Sequence, residues 1–391
     1  MRFHAAVSEQ DSALAALADV LDEARESLEA EPDVAFLFFT GHHLEDADAL
    51  VERAWRELEP QALVGCSAEG VIGADREVER KPGLALLVGS LPGVRVHAFH
   101  VAGDDWHDVL SGEEEFVGRV GCGPETRCVV GFGDPFSTPI NQLLPAFDQW
   151  AAGAPLVGGM ASAARQPGGN VLVCNDAGYD GGFVGLSLSG PLSVETVVSQ
   201  GCRPVGRPLV ITRARENVIE QLGGRPAMEA LRATVAELDE PDRKKLANGL
   251  FVGRAVSEYR ETFGRGDFLV RNVIGVDQET GALALTDYVR TGQTVQFHVR
   301  DAATASEDLA AMLEAQSARP DRPAGGLLFS CNGRGSRMFP KACHDVGAAR
   351  RAMPQTPVAG FFAAGELGPV GGRNFIHGHT ASFALFRPAG G

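Results

Sequence analysis

The chain lacks most of the local signals by which a sequence declares its chemistry. Its seven cysteines, Cys66, Cys122, Cys128, Cys174, Cys202, Cys331 and Cys343, form no C-x-x-C pair, and their number is odd. That argues against a disulfide framework or a zinc ribbon, and reduced thiols in the cytoplasm fit best. No run nears the roughly 20 apolar residues of a membrane helix, and no apolar signal-peptide core follows Met1. There is no G-x-x-x-x-G-K-S/T phosphate loop and no H-E-x-x-H. The segment from Gly65 to Gly70 is one residue too long for G-x-S-x-G, and Gly131-Phe132-Gly133 lacks the third glycine of a dinucleotide fingerprint. No cofactor is indicated. Lysine is confined to Lys81, Lys244, Lys245 and Lys341, and the formal net charge is −16. With no basic stripe interleaved with aromatics, nucleic acid and anionic membranes are disfavoured partners.

What the chain does have is glycine, 48 residues of it, among 44% hydrophobic residues. Tight turns and close backbone approaches are therefore expected around a buried core. Ser8 to Ala30 reads as a helix, with Ser8 and Asp11 as a capping box and Leu14, Leu17, Leu21, Ala24 and Leu28 on one face. A pattern then recurs three times. Apolar runs at Val34–Phe39, Arg127–Phe132 and Gly326–Cys331 read as buried strands. Helices follow over Leu44–Leu58, from Thr138-Pro139 onward, and within Lys341–Met353. Returning strands begin at Ala62, Pro155 and Pro357. Gly65, Gly70 and Gly73 share the spacing G-x4-G-x2-G with Gly360, Gly365 and Gly368. Two hairpins are expected, Leu84–Val88 with Val94–Phe99 and Phe183–Leu188 with Ser193–Val198. The fold class is accordingly α/β, mixed α+β: two adjacent domains built from repeated strand-helix-strand units with added antiparallel hairpins.

The proline-rich stretch Cys202–Pro208 is the expected domain boundary. It separates an N-terminal helix region (1–33) and a first domain (34–203) from a second domain (208–387). In the second, Pro226–Leu238 and Thr304 to about Gln316 read as helices. Phe268–Val276 with Ala282–Val289 reads as a hairpin, and Thr294–Arg300 and Thr380–Phe386 as strands.

The strongest site candidate is the loop after the third apolar run, Cys331-Asn332-Gly333-Arg334-Gly335. Ligands of α/β sheets bind beyond the carboxyl ends of strands. Gly333 and Gly335 permit a tight turn presenting N–H groups, and Arg334 can grip a carboxylate in two parallel hydrogen bonds. The bland alternative is a tight loop with solvent-facing arginines. Gly365, Glu366 and Gly368 form the second candidate, with Glu366 receiving a ligand's ammonium; the alternative is that these glycines only permit close packing. By the repeat, Gly65, Cys66, Ser67 and Gly70 stand where this second loop stands. Cys331 and Cys66 are candidate nucleophiles, against the commoner reading of buried inert thiols. His377 and His379 alternate on one strand face, but without a third ligand they carry no metal site.

Taken in order, several blocks resemble the FIST family, named for F-box and intracellular signal transduction proteins. They are Ala62–Ser67, Pro155–Gly159, Pro208–Val218, Phe268–Asp277, Phe297–Asp301, Phe329–Gly335, Gly360–Pro369 and His377–Phe383. The resemblance implies a sensory module of a FIST N-terminal and a FIST C-terminal domain that binds a small ligand, an amino acid or related carboxylate. Relatives are fused to output modules. This chain has no room for one, so a separate signalling protein is the implied partner. No catalytic residue is implied. A thiol-dependent hydrolase or transferase and a protein-interaction scaffold are the alternatives. Val71 follows Gly70 where an acidic residue would be expected by comparison with Gly365-Glu366, which weakens a symmetric pair of sites.

Overall fold

A computed structural model describes residues 1–28, 31–247, 249–258, 263–264 and 266–389. The chain divides into two compact units. The first comprises Met1–Val198, Leu309–Ile376 and Thr380–Gly391; the second comprises Ser199–Asp308 with His377–His379. This division differs from the expected 34–203 and 208–387, because the third strand-helix-strand copy belongs with the first two.

The first copy contains β1 (Arg2–Ser8), α1 (Ala13–Ser27), β2 (Val34–Thr40), α2 (Ala47–Leu58), β3 (Ala62–Ala68), β4 (Gly70–Gly73), β5 (Arg76–Glu79) and β6 (Leu84–Ser90). The second repeats the order. It has β7 (Arg95–Val101), α3 (Asp105–Val109), α4 (Glu113–Val120), β8 (Thr126–Gly133), α5 (Ile140–Trp150), β9 (Leu156–Met160), β10 (Leu172–Cys174), β11 (Ala177–Tyr179) and β12 (Phe183–Ser189). The third opens with β13 (Leu192–Gln200), is interrupted by the second unit, and resumes further along the chain. Its later elements are α8 (Ala302–Ser317), β21 (Gly325–Cys331), α9 (His344–Ala352), β22 (Val358–Ala363), β23 (Glu366–Val370), β24 (Arg373–His377) and β25 (Thr380–Pro388).

Each copy organises one six-stranded sheet, and the three strand orders are the same: β1-β6-β2-β3-β10-β11, β7-β12-β8-β9-β23-β24 and β13-β25-β21-β22-β4-β5. In each, the parallel pair joined by the crossover helix lies at the centre. The last two strands are a hairpin donated by another copy, so the three copies exchange hairpins in a closed cycle. The expected hairpins over 84–99 and 183–198 are corrected by this arrangement. β6 pairs with β1 and β2, whereas β7 pairs with β12; β12 and β13 likewise lie in different sheets. A Pro-Gly turn reverses the chain without deciding which sheet the next strand joins.

The central strands are apolar on both faces because both faces are covered. Val34, Phe36 and Phe38 of β2, Val130 and Phe132 of β8, and Leu327 and Phe329 of β21 face one shared core. The intervening Leu37, Val129 and Leu328 pack beneath the helices of their own copy. Near the centre the Phe38 and Phe132 ring centroids are 5.3 Å apart, and Phe132 and Phe329 are 5.9 Å apart. Register is fixed by a glycine in each copy. Gly65, Gly158 and Gly360 stand opposite Leu37, Gly131 and Leu328. A Cβ at any of them would lie 1.8 Å from the facing carbonyl oxygen.

The first helix begins at Ala13 with Ser12 as its N-cap and no side-chain cap. The expected start at Ser8 is corrected, since Arg2–Ser8 is a strand; the expected end at Ala30 lies outside the described residues. Leu14 is exposed, and Ala13, Ala16 and Val20 join Leu17, Leu21 and Ala24 on the buried face.

In the second unit, β14 (Cys202–Arg215), β15 (Val218–Leu222), β16 (Arg225–Pro226), β17 (Phe251–Ala255), β18 (Phe268–Val276), β19 (Leu283–Leu285) and β20 (Thr294–Arg300) are accompanied by α6 (Ala227–Glu237) and α7 (Glu240–Ala247). The pairings run β14-β20-β17-β18-β19-β15 and return to β14, closing an antiparallel barrel with β16 appended. The stretch Cys202–Pro208, expected as a boundary, is therefore part of a strand. Pro208 is accommodated where the register shifts between Val205 and Leu209, beside Gly206 at φ +65°, while Pro204 stays in register opposite His298.

Candidate functional site

The shared register lets equivalent positions in the three copies be compared directly. One residue beyond the fixed glycines, Cys66 faces Leu172, Phe361 faces Val71, and Gly159 faces Glu366. Val71, Leu172 and Glu366 thus occupy the same place in three sheets, and none is exposed. Two copies fill it with an aliphatic side chain, and the third places a carboxyl there. The fold does not require an acid at this position, and burying one is costly.

The central strands also end differently. The residues three beyond Leu37, Gly131 and Leu328 are Thr40, Asp134 and Cys331. Thr40 accepts the Gly83 N–H at 3.0 Å. Asp134 accepts the Phe136 and Ser137 N–H groups and the Asn170 amide. These two close their loops. Cys331 instead presents a half-buried thiol whose sulfur accepts the Gly333 N–H at 3.4 Å.

Around Cys331 and Glu366 lies a buried polar cluster. Arg334 has no exposed surface. Its Nε and Nη2 donate to the two carboxylate oxygens of Asp345 at 2.8 and 2.7 Å. Asp345 also accepts the Ser330 hydroxyl at 2.7 Å and lies 2.8 Å from His344 Nδ1. Burial would raise the Asp345 carboxyl, but the Arg334 guanidinium outweighs it and holds the group well below the usual range. The same pairing raises Arg334 against its own desolvation. Phe339 completes the packing, stacked on His344 with centroids 3.4 Å apart and with the Arg334 Cζ 5.1 Å from its ring centroid. On the other side, Glu77 Oε1 accepts the Asp345 and Val346 N–H groups at 2.8 and 2.9 Å, closing the N-terminus of α9. Burial, with Asp345 nearby, pushes the Glu77 carboxyl up to about 8.

Glu366 accepts the Thr380 N–H at 3.1 Å and the Thr380 hydroxyl at 2.6 Å, both on Oε2. Burial pushes its carboxyl up to about 8, which favours the protonated, neutral form. The Cys331 thiol lies within hydrogen-bonding reach of this carboxyl, and the Arg334 charge acts on it. Three buried polar atoms in the cluster have no hydrogen-bond partner among the described residues: Arg334 Nη1, Glu366 Oε1 and Glu77 Oε2. Unmatched buried atoms of opposite kinds, gathered in one place, are what a small polar ligand would satisfy.

The rim is charged. Arg337 donates to the Asn332 carbonyl at 2.8 Å and makes a two-point ion pair with Glu69, one bond of which is 2.9 Å. This pairing holds Glu69 below its ordinary value, with weaker help from Arg165 and Arg80. Glu79 accepts the Ser336 N–H and hydroxyl at 2.9 and 2.8 Å. With its nitrogen turned toward the Phe362 and Ala363 carbonyls, Asn332 donates to both at 3.0 and 3.2 Å. Gly335, at φ +53°, packs its Cα against the Glu79 carboxylate. Ala364 is exposed beside the buried Gly365.

The structure therefore brings Cys331, Asn332, Gly333, Arg334, Gly335, Gly365 and Glu366 into one neighbourhood. Arg334 is not the open fork expected, because Asp345 engages two of its nitrogens and one remains. Burial favours the neutral form of Glu366 over the ionised carboxylate expected to receive an amine. Gly65, Cys66 and Ser67 lie in the buried strand β3 instead of a loop. Burial drives the Cys66 thiol well above its usual range, away from the thiolate form that a nucleophile needs. Gly70 is required by packing, since a Cβ there would meet the Val78 carbonyl at 2.8 Å. Gly368 is buried in β23. His379 Nε2 is paired with Asn272 at 3.0 Å. Among the described residues no three His, Cys, Asp or Glu side chains are grouped to hold a metal. Asp345, Glu77 and Thr380 were not singled out from the sequence. Only the position of Asp345, in the first turn of a helix that follows the candidate loop, offered a signal.

The fold is a triplicated α/β unit interrupted by an antiparallel barrel, and Glu366 stands where the other two copies carry Val71 and Leu172. The chain belongs to the FIST family: residues 33–225 match the FIST N domain and residues 227–369 the FIST C domain. FIST domains are generally described as small-ligand sensory domains in signalling. An uncharacterized protein of Mycobacterium tuberculosis strain CDC 1551 is 38% identical over 401 residues, covering 99% of this chain and 100% of that protein. One from Mycobacterium bovis is 36% identical, covering 99% of each. Among solved structures, a cyanuric acid hydrolase spans 100% of both chains at 10% identity and a TM-score of 0.35, a likeness too weak to assign fold or activity. No helix among the described residues is long and apolar enough to cross a membrane.

Proposed function

We propose that the protein is a stand-alone sensor acting in the cytoplasm, that its ligand is a small carboxylate such as an amino acid, and that it signals through a separate protein. The observation that carries this reading is Glu366. A carboxyl stands where the other two copies have Val71 and Leu172, and its Oε1 and the Arg334 Nη1 are both buried without partners. A ligand carboxylate would accept from Nη1, and the neutral Glu366 carboxyl would donate to a second ligand oxygen. An ammonium at the same place would require Glu366 to ionise, which Arg334 and the Thr380 donors assist.

The test is a thermal-shift series with amino acids and small carboxylates, run on the wild-type chain and on Glu366→Val, which installs the side chain of the first copy. A ligand that binds only the native state raises the midpoint with the logarithm of its concentration. The expected result is a shift with one chemical class in the wild type and none in Glu366→Val, whose ligand-free midpoint is higher. Equal shifts in both proteins would remove Glu366 from the site.

A further inference from the structure

Six of the seven cysteines are explained by packing or by a local contact. Cys66, Cys128 and Cys174 lie in strands with their thiols driven up by burial. Cys122 is pushed up by burial too, Cys202 packs against Phe251 and Val270, and the Cys343 sulfur accepts the Glu77 N–H at 3.3 Å. Cys331 differs from the five buried cysteines in its exposure and from the equally half-buried Cys343 in its place in the fold. It ends a central strand at a position filled in the other copies by loop-closing Thr40 and Asp134. It is half-buried, and it faces groups of three kinds. The Gly333 N–H points at the sulfur. The Glu366 carboxyl is within reach of the thiol proton. The guanidinium of Arg334, with Nη1 lacking an acceptor, is close enough for its charge to act on the thiol, as is that of Arg337. A nucleophile, a proton-carrying carboxyl and an unfilled cationic donor meeting at one point are the parts needed for addition to a carbonyl group.

We infer that Cys331 captures the carbonyl carbon of a small 2-oxo acid as a reversible thiohemiketal, with Arg334 Nη1 and the Glu366 carboxyl receiving the carbonyl oxygen. In this addition the Cys331 S–H bond breaks and an S–C bond forms. The carbonyl π pair moves to oxygen, which takes the proton of Glu366, and the thiol proton restores that carboxyl. Nothing is oxidised or reduced, no group leaves, and no co-reactant is needed. The ligand carboxylate is directed by the rim, where Arg337 pairs with Glu69 and the charges of Arg165 and Arg80 also act. The inference rests on the small-carboxylate reading of the same site; it narrows the ligand to one with an electrophilic carbon beside the carboxylate, and it moves that carboxylate from Arg334 to the rim so that Nη1 and Glu366 serve the carbonyl oxygen.

The experiment uses the full chain with glyoxylate and pyruvate, each carbon-13 labelled at the carbonyl, and with glycolate and lactate as hydroxyl counterparts that cannot add a thiol. The readouts are the carbon-13 spectrum of the protein-bound probe, the thermal midpoint, and the rate at which iodoacetamide alkylates Cys331. Glyoxylate or pyruvate is expected to give a protein-bound tetrahedral carbon signal and to slow alkylation at least tenfold. Both effects should vanish in Cys331→Ala and reverse on dilution. If both oxo and hydroxy acids raise the midpoint equally in wild type and Cys331→Ala, with no tetrahedral carbon, covalent capture is overturned while the carboxylate-sensor reading stands. If none of the four binds while an amino acid does, the oxo-acid inference is overturned alone. If no small carboxylate of any kind binds, both fall.

Discussion

Arg334 and Asp345 form a two-point ion pair in which neither side chain is more than 1% exposed. The pair ties the loop after β21 to the first turn of α9, and it settles what Arg334 can still offer. Two of its nitrogens are engaged, so one nitrogen, Nη1, is left without an acceptor. Buried pairs of this kind contribute little net stability against a well-packed apolar pair, but removing one partner strands the other charge. Asp345→Asn is therefore expected to destabilise the protein by about 3 kcal/mol, read as a fall in the urea midpoint at unchanged slope. The double change Arg334→Met with Asp345→Leu should recover most of that loss. A single variant within 1 kcal/mol or so of the wild type would mean the charge is relieved by water, in conflict with its burial.

The three fixed glycines make an internal comparison. A Cβ at Gly65, Gly158 or Gly360 would meet Leu37, Gly131 or Leu328 at the same 1.8 Å from a carbonyl oxygen. No rotamer relieves a clash with backbone, so the paired strands must separate. Each change to alanine should cost about 3 kcal/mol or more, at the upper end of overpacking effects. Gly153→Ala is the control: its φ is +79° but nothing lies within 4 Å of the added atom, so its cost should stay near 1 kcal/mol, that of strain alone. Thermal denaturation of the four variants measures this. A mild Gly158→Ala beside two severe partners would show that the register is not equivalent in the second copy.

Much of this arrangement was legible in the chain. β2, β8 and β21 are continuous apolar runs bounded by glycine or polar residues, and the matching spacing of Gly65 and Gly360 exposed the repeat. The exchange of hairpins was not legible, because a strand's partner is chosen by packing across copies while turn residues report only a reversal. Pro204 and Pro208 looked like a linker because a proline removes a ladder donor, yet Pro208 falls at a register shift that tolerates it and Pro204 pairs with His298 all the same. At the site, Cys331, Arg334 and Glu366 could be picked from their places at strand ends. The raised value of Glu366 could not, since it is set by desolvation. Glu77, which reaches α9 from 268 positions away in the chain, leaves no local pattern at all.

The two raised carboxyls fix the sign of the pH dependence. Glu366 and Glu77 are pushed up to about 8 from an ordinary 4.5. Between those values the native state holds a proton on each that the unfolded chain has released. Stability therefore falls as pH rises through this window, by at most ~1.4 kcal/mol per pH unit for each group, and levels off above the native value. Asp345 acts in the opposite sense: its value is lowered, so its contribution is present above its ordinary range and is lost as pH falls below it. Glu366→Gln keeps the shape and removes one titration. Its stability relative to wild type should rise steadily from pH 5 to pH 8, as measured by urea unfolding at each pH. Ligand binding offers an independent check on the same proton. An amino acid whose ammonium meets Glu366 must displace that proton, so at pH 7 its binding enthalpy should vary with the ionisation enthalpy of the buffer. A 2-oxo acid captured by Cys331 needs the proton kept in the site, and its binding enthalpy should not vary. Parallel stability curves for wild type and Glu366→Gln would show that Glu366 is ionised throughout, and the buffer dependence expected for an amino acid would then disappear.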